Sequence, residues 1–179
     1  GREYAMTTDP STTYLENPMN KVATAVLPNG QYVDAWKLGK HRGEYTALVQ
    51  RKSFCVYRDY NRNAWIDFNV EDKTCGKFGI NIHRGKPRGA DDGKGNTENI
   101  GLYSAGCQVL QNYYCFTDEL IPMLQKQQRL YGTEDFTYTL IDKWLENQFF
   151  IKRAIYGAGV LTALGFFGYG WWLMYKQAK

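Results

Sequence analysis

The sequence predicts a mainly β (α+β) domain with one or two short helices, followed by one C-terminal transmembrane helix. Three observations lead there. Short β-branched and aromatic runs recur between turn residues across the first 141 positions. One segment near position 120 has the cap and acids of a helix start. Residues 154–175, AIYGAGVLTALGFFGYGWWLMY, run without a charge, and at about 1.5 Å per residue a helix of that length crosses a bilayer's hydrocarbon layer.

Residues 1–20 are polar and turn-rich, with Pro10 and Pro18, and read as a lead segment before a domain at 21–141. KVATAVLPNGQYVDAWKLG then suggests strands at 22–27 and 31–38, joined by a tight turn at Pro28-Asn29-Gly30. Residues 45–50 and 54–58 continue the short β runs, and FGINIH at 78–83 alternates as a half-buried strand does. RGKPRGADDGKGNTENIG at 84–101 has five glycines and almost nothing apolar, so a long loop is expected there. A strand-like run resumes at Cys107–Leu110. Thr117 is expected to cap a helix running to Leu130 and closed by Gly132, and FTYTLI at 136–141 is a further strand. Asp142 opens a helical linker, 142–153, into the membrane span at 154–175, and 176–179 form a basic tail.

Lys152 and Arg153 flank the span on one side and Lys176 and Lys179 on the other, while Trp171, Trp172 and Tyr175 stand where an aromatic belt lies. A buried core helix is the competing reading. With two basic residues at each end, orientation is not encoded. Ala154, Ala158 and Thr162 make a small-residue ridge suited to another membrane helix, or simply to lipid. Gly1 is not Met and no apolar leader follows it, so either something upstream is expected to have been removed or Gly1 is itself a processing scar.

Net charge is +4, and all of it comes from the four basic residues of 151–179, where there is no acid; residues 1–150 balance 18 against 18. A nucleic-acid binder concentrates its basic excess in the folded domain, so that class is set aside.

His83 and Cys107 are scarce residues at the edges of two strand-like runs, with the glycine-rich loop between them. If those strands are neighbours, an imidazole meets a thiol and turns it into a nucleophile. Gly106 removes a Cβ beside the sulfur, so backbone N–H groups at Gly106–Cys107 can face a substrate oxygen. Ser104 is placed either to orient the base or to donate to that oxygen. By residue type alone, a cysteine is more often a small buried hydrophobe. His41, in GKHRG, reads as a substrate-side or structural residue.

Two histidines and four scattered cysteines form no C-x-x-C or H-x-x-H pair, so no cofactor or catalytic metal is expected. Asp59, Asn61, Asn63 and Asp67 alternate like a calcium loop, with the Trp65 carbonyl as a further ligand. Ala64 stands where the turn glycine belongs and Val70 where a closing Glu belongs, so a polar turn is the preferred reading. With Cys107 free, at most two of Cys55, Cys75 and Cys115 can pair, and no disulfide is demanded.

I-H-x-G, a loop, then S-x-G-C resembles the L,D-transpeptidase (YkuD-like) catalytic domain. DPSTTYLENP, VLPNGQY, GKHRGEYTALVQ, VYRDYNRN, FGINIHRG, YSAGCQV and FTYTL resemble, in that order, a phage- and bacterium-borne branch of it, over about residues 7–141. The resemblance implies a β-sandwich acting on peptidoglycan stem peptides. Cys107 would be the nucleophile that forms a thioester, His83 its base, and Ser104 with the Gly106–Cys107 backbone the oxyanion support. Ala105 stands where the family has a second histidine and Gln108 where it commonly has Arg or Asn. Gln108 binds a carboxylate only as a neutral partner, and Arg84 and Arg88 are candidates to take that role.

The expected function is therefore a membrane-anchored, cysteine-dependent peptidoglycan-processing enzyme, with hydrolysis favoured over transpeptidation, in a bacterial envelope or the internal membrane of a virus particle. Its partners would be peptidoglycan, the bilayer, and other membrane-helix or capsid proteins. Two rivals compete with it. One is a non-catalytic cell-wall-binding or structural module in which Ala105 and Gln108 mark a decayed site; in the other the C-terminal helix is the working part.

Overall fold

The computed structural model describes residues 2–66, 68, 73–87 and 94–141. The first compact unit is Gly1–Leu140; of the second, Ile141–Lys179, only Ile141 is described. The linker at 142–153, the span at 154–175 and the basic tail lie outside the described residues. Among the described residues no helix is long and apolar enough to cross a membrane.

The described chain is mainly β, with two sheets and few helices. In chain order the elements are β1 (Met6–Thr7), α1 (Thr12–Glu16), β2 (Thr24–Val26), β3 (Gly30–His41), β4 (Tyr45–Gln50), β5 (Phe54–Asp59), β6 (Thr74–Gly76), β7 (Ile82–Arg84), β8 (Gln108–Leu110), a π-helical turn (Cys115–Leu120), α2 (Ile121–Tyr131) and β9 (Asp135–Leu140). One sheet has the order β1-β8-β7-β4-β3-β9 and the other β2-β5-β6. All pairings are antiparallel except β7 with β8, which is parallel and joins Ile82 to Gln108 and His83 to Val109.

The lead segment belongs to this architecture. Met6 pairs with Leu110, and Ser11 caps α1 while its N–H donates to the Ser104 carbonyl at 2.9 Å. The expected hairpin at Pro28-Asn29-Gly30 is corrected: β2 pairs with β5, and β3 pairs with β4 and β9. All three β2 side chains are buried, so the strand packs into the core at the edge of the second sheet, and the turn carries the chain from one sheet to the other.

The helix near 120 also starts differently from expectation. Asn112 Oδ1, not Thr117, accepts the Cys115 N–H at 3.0 Å, and the first turn is π-helical. Pro122 lacks the amide that would bond Asp118, and its ring crowds that carbonyl, so the backbone ahead of it widens. Gly132 ends α2 at φ 63°, as expected of a glycine stop.

The core forms where the sheets meet. Trp36 of β3 is fully buried, its Nε1–H donates to Ile80 O at 2.9 Å, and its ring lies 5.3 Å from Phe54 of β5. Val56, Ile82, Leu110 and Phe116 belong to the same cluster. Cys55 and Cys75, cross-strand partners on β5 and β6, form a disulfide that the sequence did not demand.

Candidate active site

FGINIH is a strand only from Ile82, and the reason is Gln50 at the end of β4. Its Oε1 accepts the N–H groups of Phe78, Gly79 and Ile80 at 2.9, 2.9 and 3.1 Å, replacing ladder bonds with one side-chain acceptor. The Gln50 N–H donates to Asn81 Oδ1 at 3.0 Å. This bracket holds residues 79–81 against Cys107: the Asn81 N–H reaches Sγ at 3.5 Å, and Sγ–H donates to Gly79 O at 3.6 Å.

Parallel pairing puts Gln108 beside Ile82, so Cys107, one residue earlier, lies on the same sheet face as Asn81 and His83. Cys107 and His83 border one cleft of about 590 Å³, which Asn81 and His41 also line. The structure thus brings the two expected residues to one cavity. They are not hydrogen-bonded to each other, because the thiol is turned to Gly79 O and His83 Nε2 has no partner among the described residues.

His83 is 3 % exposed. Its Nδ1 lies 2.6 Å from Arg84 O, and a carbonyl only accepts, so Nδ1 carries the proton and Nε2 is a bare lone pair. Burial, reinforced by His41, Arg42 and Arg84 nearby, lowers the His83 pKa to about 4, against the pull of the Arg84 carbonyl. Burial pushes the Cys107 thiol up, against the Asn81 N–H and Arg42. The resting pair is therefore thiol and neutral imidazole.

The second imidazole comes from β3, through a residue the sequence left at the periphery. His41 is buried and stacks on His83 with ring centroids 4.2 Å apart. Because Asn81 Oδ1 is held by Gln50, its Nδ2 faces His41 Nδ1 at 3.0 Å, which makes that nitrogen an acceptor and leaves the His41 proton on Nε2. Burial lowers the His41 pKa too. Tyr45 Oη lies 3.3 Å from His83 Nδ1, and burial raises its pKa to about 12. Asn81 carried a readable signal: in I-N-I-H it shares the strand face of His83.

Two expected roles are corrected. Ser104 is fully buried; its Oγ lies 2.7 Å from Cys107 O and 3.2 Å from Asp9 O, and accepts the Gly106 N–H at 3.3 Å. It ties the 104–107 turn together and neither bonds His83 nor lines the cleft. Gln108 is also fully buried, with Nε2 donating to Thr8 O at 3.1 Å and Oε1 accepting from Tyr138 Oη at 3.2 Å. As the neighbour of Cys107 it faces the opposite way and does not line the Cys107 cleft.

Arg84 borders a side pocket of about 180 Å³ rather than the main cleft, and its guanidinium lies 4.0 and 5.2 Å from the Tyr45 and Tyr113 ring centres. Arg88 lies outside the described residues. In the weak calcium loop, Asn61 Oδ1 and Asn63 Oδ1 each accept the backbone N–H two residues on, at 3.1 and 3.0 Å, as Asx turns do. Asp59 is fully buried at the end of β5, and Asp67 lies outside the described residues.

The Gly106 N–H, expected to face a substrate oxygen, is instead taken by Ser104 Oγ. Gly106 itself has φ 116°, and a Cβ there would lie 2.5 Å from Ala25 O of β2. Gly106→Ala is therefore expected to cost at least about 2 kcal/mol in urea unfolding, from backbone strain plus the clash. A change under about 0.5 kcal/mol, the range of a neutral surface substitution, would contradict this packing.

The buried base also makes stability depend on pH. The unfolded chain protonates His83 near 6.5 and the folded chain at about 4, so between those values the unfolded state binds the extra proton. Stability is full above about pH 6.5 and is lost as pH falls toward 4, by up to roughly 3 kcal/mol. Urea unfolding at several pH values should show this slope, and His83→Gln should flatten it.

No protein-family model, curated protein or solved structure matches the chain.

Proposed function

We propose that the protein is a cysteine-dependent acyl-transfer enzyme of the L,D-transpeptidase-like kind, acting on peptidoglycan stem or cross-bridge peptides. The observation that carries this reading is the bare Nε2 of His83, fixed as an acceptor by Arg84 O, on the same cleft and strand face as the Cys107 thiol. A buried lone pair without a partner is costly for folding alone and useful for catalysis.

In the reaction the Cys107 thiol exchanges its hydrogen bond to Gly79 O for one to His83 Nε2 across the shared cleft. His83 removes the proton as sulfur attacks the amide carbonyl, and the Cys107 N–H supports the oxyanion. Protonated His83 then gives its proton to the leaving amine, and the thioester passes to water or to a second amine. Because thiol and imidazole both rest neutral, this is general-base activation on substrate binding rather than a standing ion pair.

Hydrolysis remains the favoured outcome, and a lytic protein anchored in a bacterial envelope or virion membrane through residues 154–175 the favoured setting. The Cys55–Cys75 disulfide supports an oxidising compartment for the domain. Digestion of purified muropeptides in ¹⁸O-labelled water containing a free D-amino acid tests the reaction type. Label in the new carboxylate is expected; an amine adduct alone would make the protein a transferase.

A further inference from the structure

Arg58 follows Phe54 and Val56 at period two on the inward face of β5 and is 5 % exposed. Its Nε–H donates to Thr74 Oγ1 and Nη1–H to Ala23 O, both at 3.0 Å, and its guanidinium lies 4.5 Å from the Phe78 ring centre. None of these partners is charged, and among the described residues no carboxylate pairs with Arg58. It borders the same cleft as Cys107, together with Arg42 and Lys77, and no acidic side chain is among the described residues lining that cleft. Ala25, its cross-strand partner on β2, is the residue whose carbonyl abuts Gly106, so a single strand separates the guanidinium from the nucleophile turn.

A guanidinium withdrawn from water ordinarily keeps a counter-ion, because desolvating the charge alone is unfavourable. Here three neutral contacts fix the side chain, and the described residues supply no anion. We propose that this end of the cleft is a carboxylate-binding subsite, in which Arg58 holds a free carboxylate of the acyl donor while Arg42 and Lys77 draw anionic substrates in. The inference rests on the reading of Cys107 as the acylated nucleophile and narrows its substrates to peptides with a free carboxylate near the reacting amide, against their amidated forms. It also replaces Gln108 in the role that the sequence gave it.

The test compares alkylation of Cys107 in the full chain by bromoacetyl-β-alanine and by its amide. In each reaction the Sγ–C bond forms as the C–Br bond breaks, bromide leaves, and the thiol proton passes to buffer. The wild type is expected to react at least about tenfold faster with the anionic reagent, the size of a charge-assisted hydrogen bond. Arg58→Gln should remove most of that preference, leaving the smaller contribution of Arg42 and Lys77, and Lys77→Gln, at the exposed rim, should lower the ratio by a smaller factor. Equal rates in the wild type, or an unchanged ratio in folded Arg58→Gln, would overturn the subsite. If Arg58→Gln does not fold, Arg58→Lys decides: it keeps the charge and loses the planar fork, so a ratio left at the wild-type value overturns the proposal. Muropeptide digestion by the same preparations separates the two claims. Anion preference without digestion keeps the subsite and removes the peptidoglycan reading, and digestion without preference does the reverse.

Discussion

Cys107→Ala is expected to slow cleavage of a stem-peptide amide by about 10⁴-fold or more, the scale on which removal of a nucleophile acts when only binding and oxyanion support remain. The fold should survive. The Cys107 thiol is only partly buried, and its hydrogen bonds are long ones, to Gly79 O and the Asn81 N–H. Initial rates by chromatography, with melting temperatures alongside, separate loss of chemistry from loss of structure. A passive wall-binding module would show equal rates for both proteins, because nothing it does requires the sulfur.

His83→Gln is the second large effect, expected at about 10³- to 10⁴-fold, because glutamine keeps polarity and supplies no base. The wild-type pH profile gives a sharper signature. Neutral His83 is the active form, and its pKa lies at about 4, so kcat/KM should hold from neutral pH downward and fall only as pH drops through about 4. The raised Cys107 pKa moves the alkaline limb above the range of an ordinary thiol. An enzyme with a resting thiolate–imidazolium pair would show a similar acid limb, set by its depressed thiol, but would lose activity on the alkaline side as the imidazolium deprotonates, so the alkaline limb separates the two. An acid limb near 6.5 would therefore show that His83 is more solvated in the working enzyme than this fold makes it.

The strands were the most legible part of the chain. Tyr45–Gln50 has the expected bounds, and Phe54–Asp59 and Asp135–Leu140 differ from expectation by a residue at their ends. Periodicity shows which residues can be strands but not which strands pair. The Asn-Gly turn at 29–30 therefore looked like a hairpin, although β2 pairs across the chain with β5. FGINIH looked like a longer strand because no local pattern reveals that Gln50, some 30 residues earlier, accepts three of its amides.

The site was legible where chemistry is scarce. One thiol and one imidazole could be matched through a motif, and parallel pairing of β7 with β8 puts them on one face. Ser104 and Gln108 were misjudged because proximity to Cys107 along the chain was taken for proximity to the cleft. Alternation alone turns Gln108 away. His41 and Arg58 reach the cleft only through long-range packing of β3 and β5, which no local window of sequence carries.

The most direct test of the Cys107–His83 pair is a rapid acid quench of the full chain mixed in single turnover with a muropeptide, followed by mass spectrometry. A hydroxylamine-labile acyl adduct on the peptide containing Cys107, formed before product and absent from Cys107→Ala, is the predicted result. Product appearing while Cys107 stays unmodified at every quench time, or forming at the wild-type rate with Cys107→Ala, would contradict it.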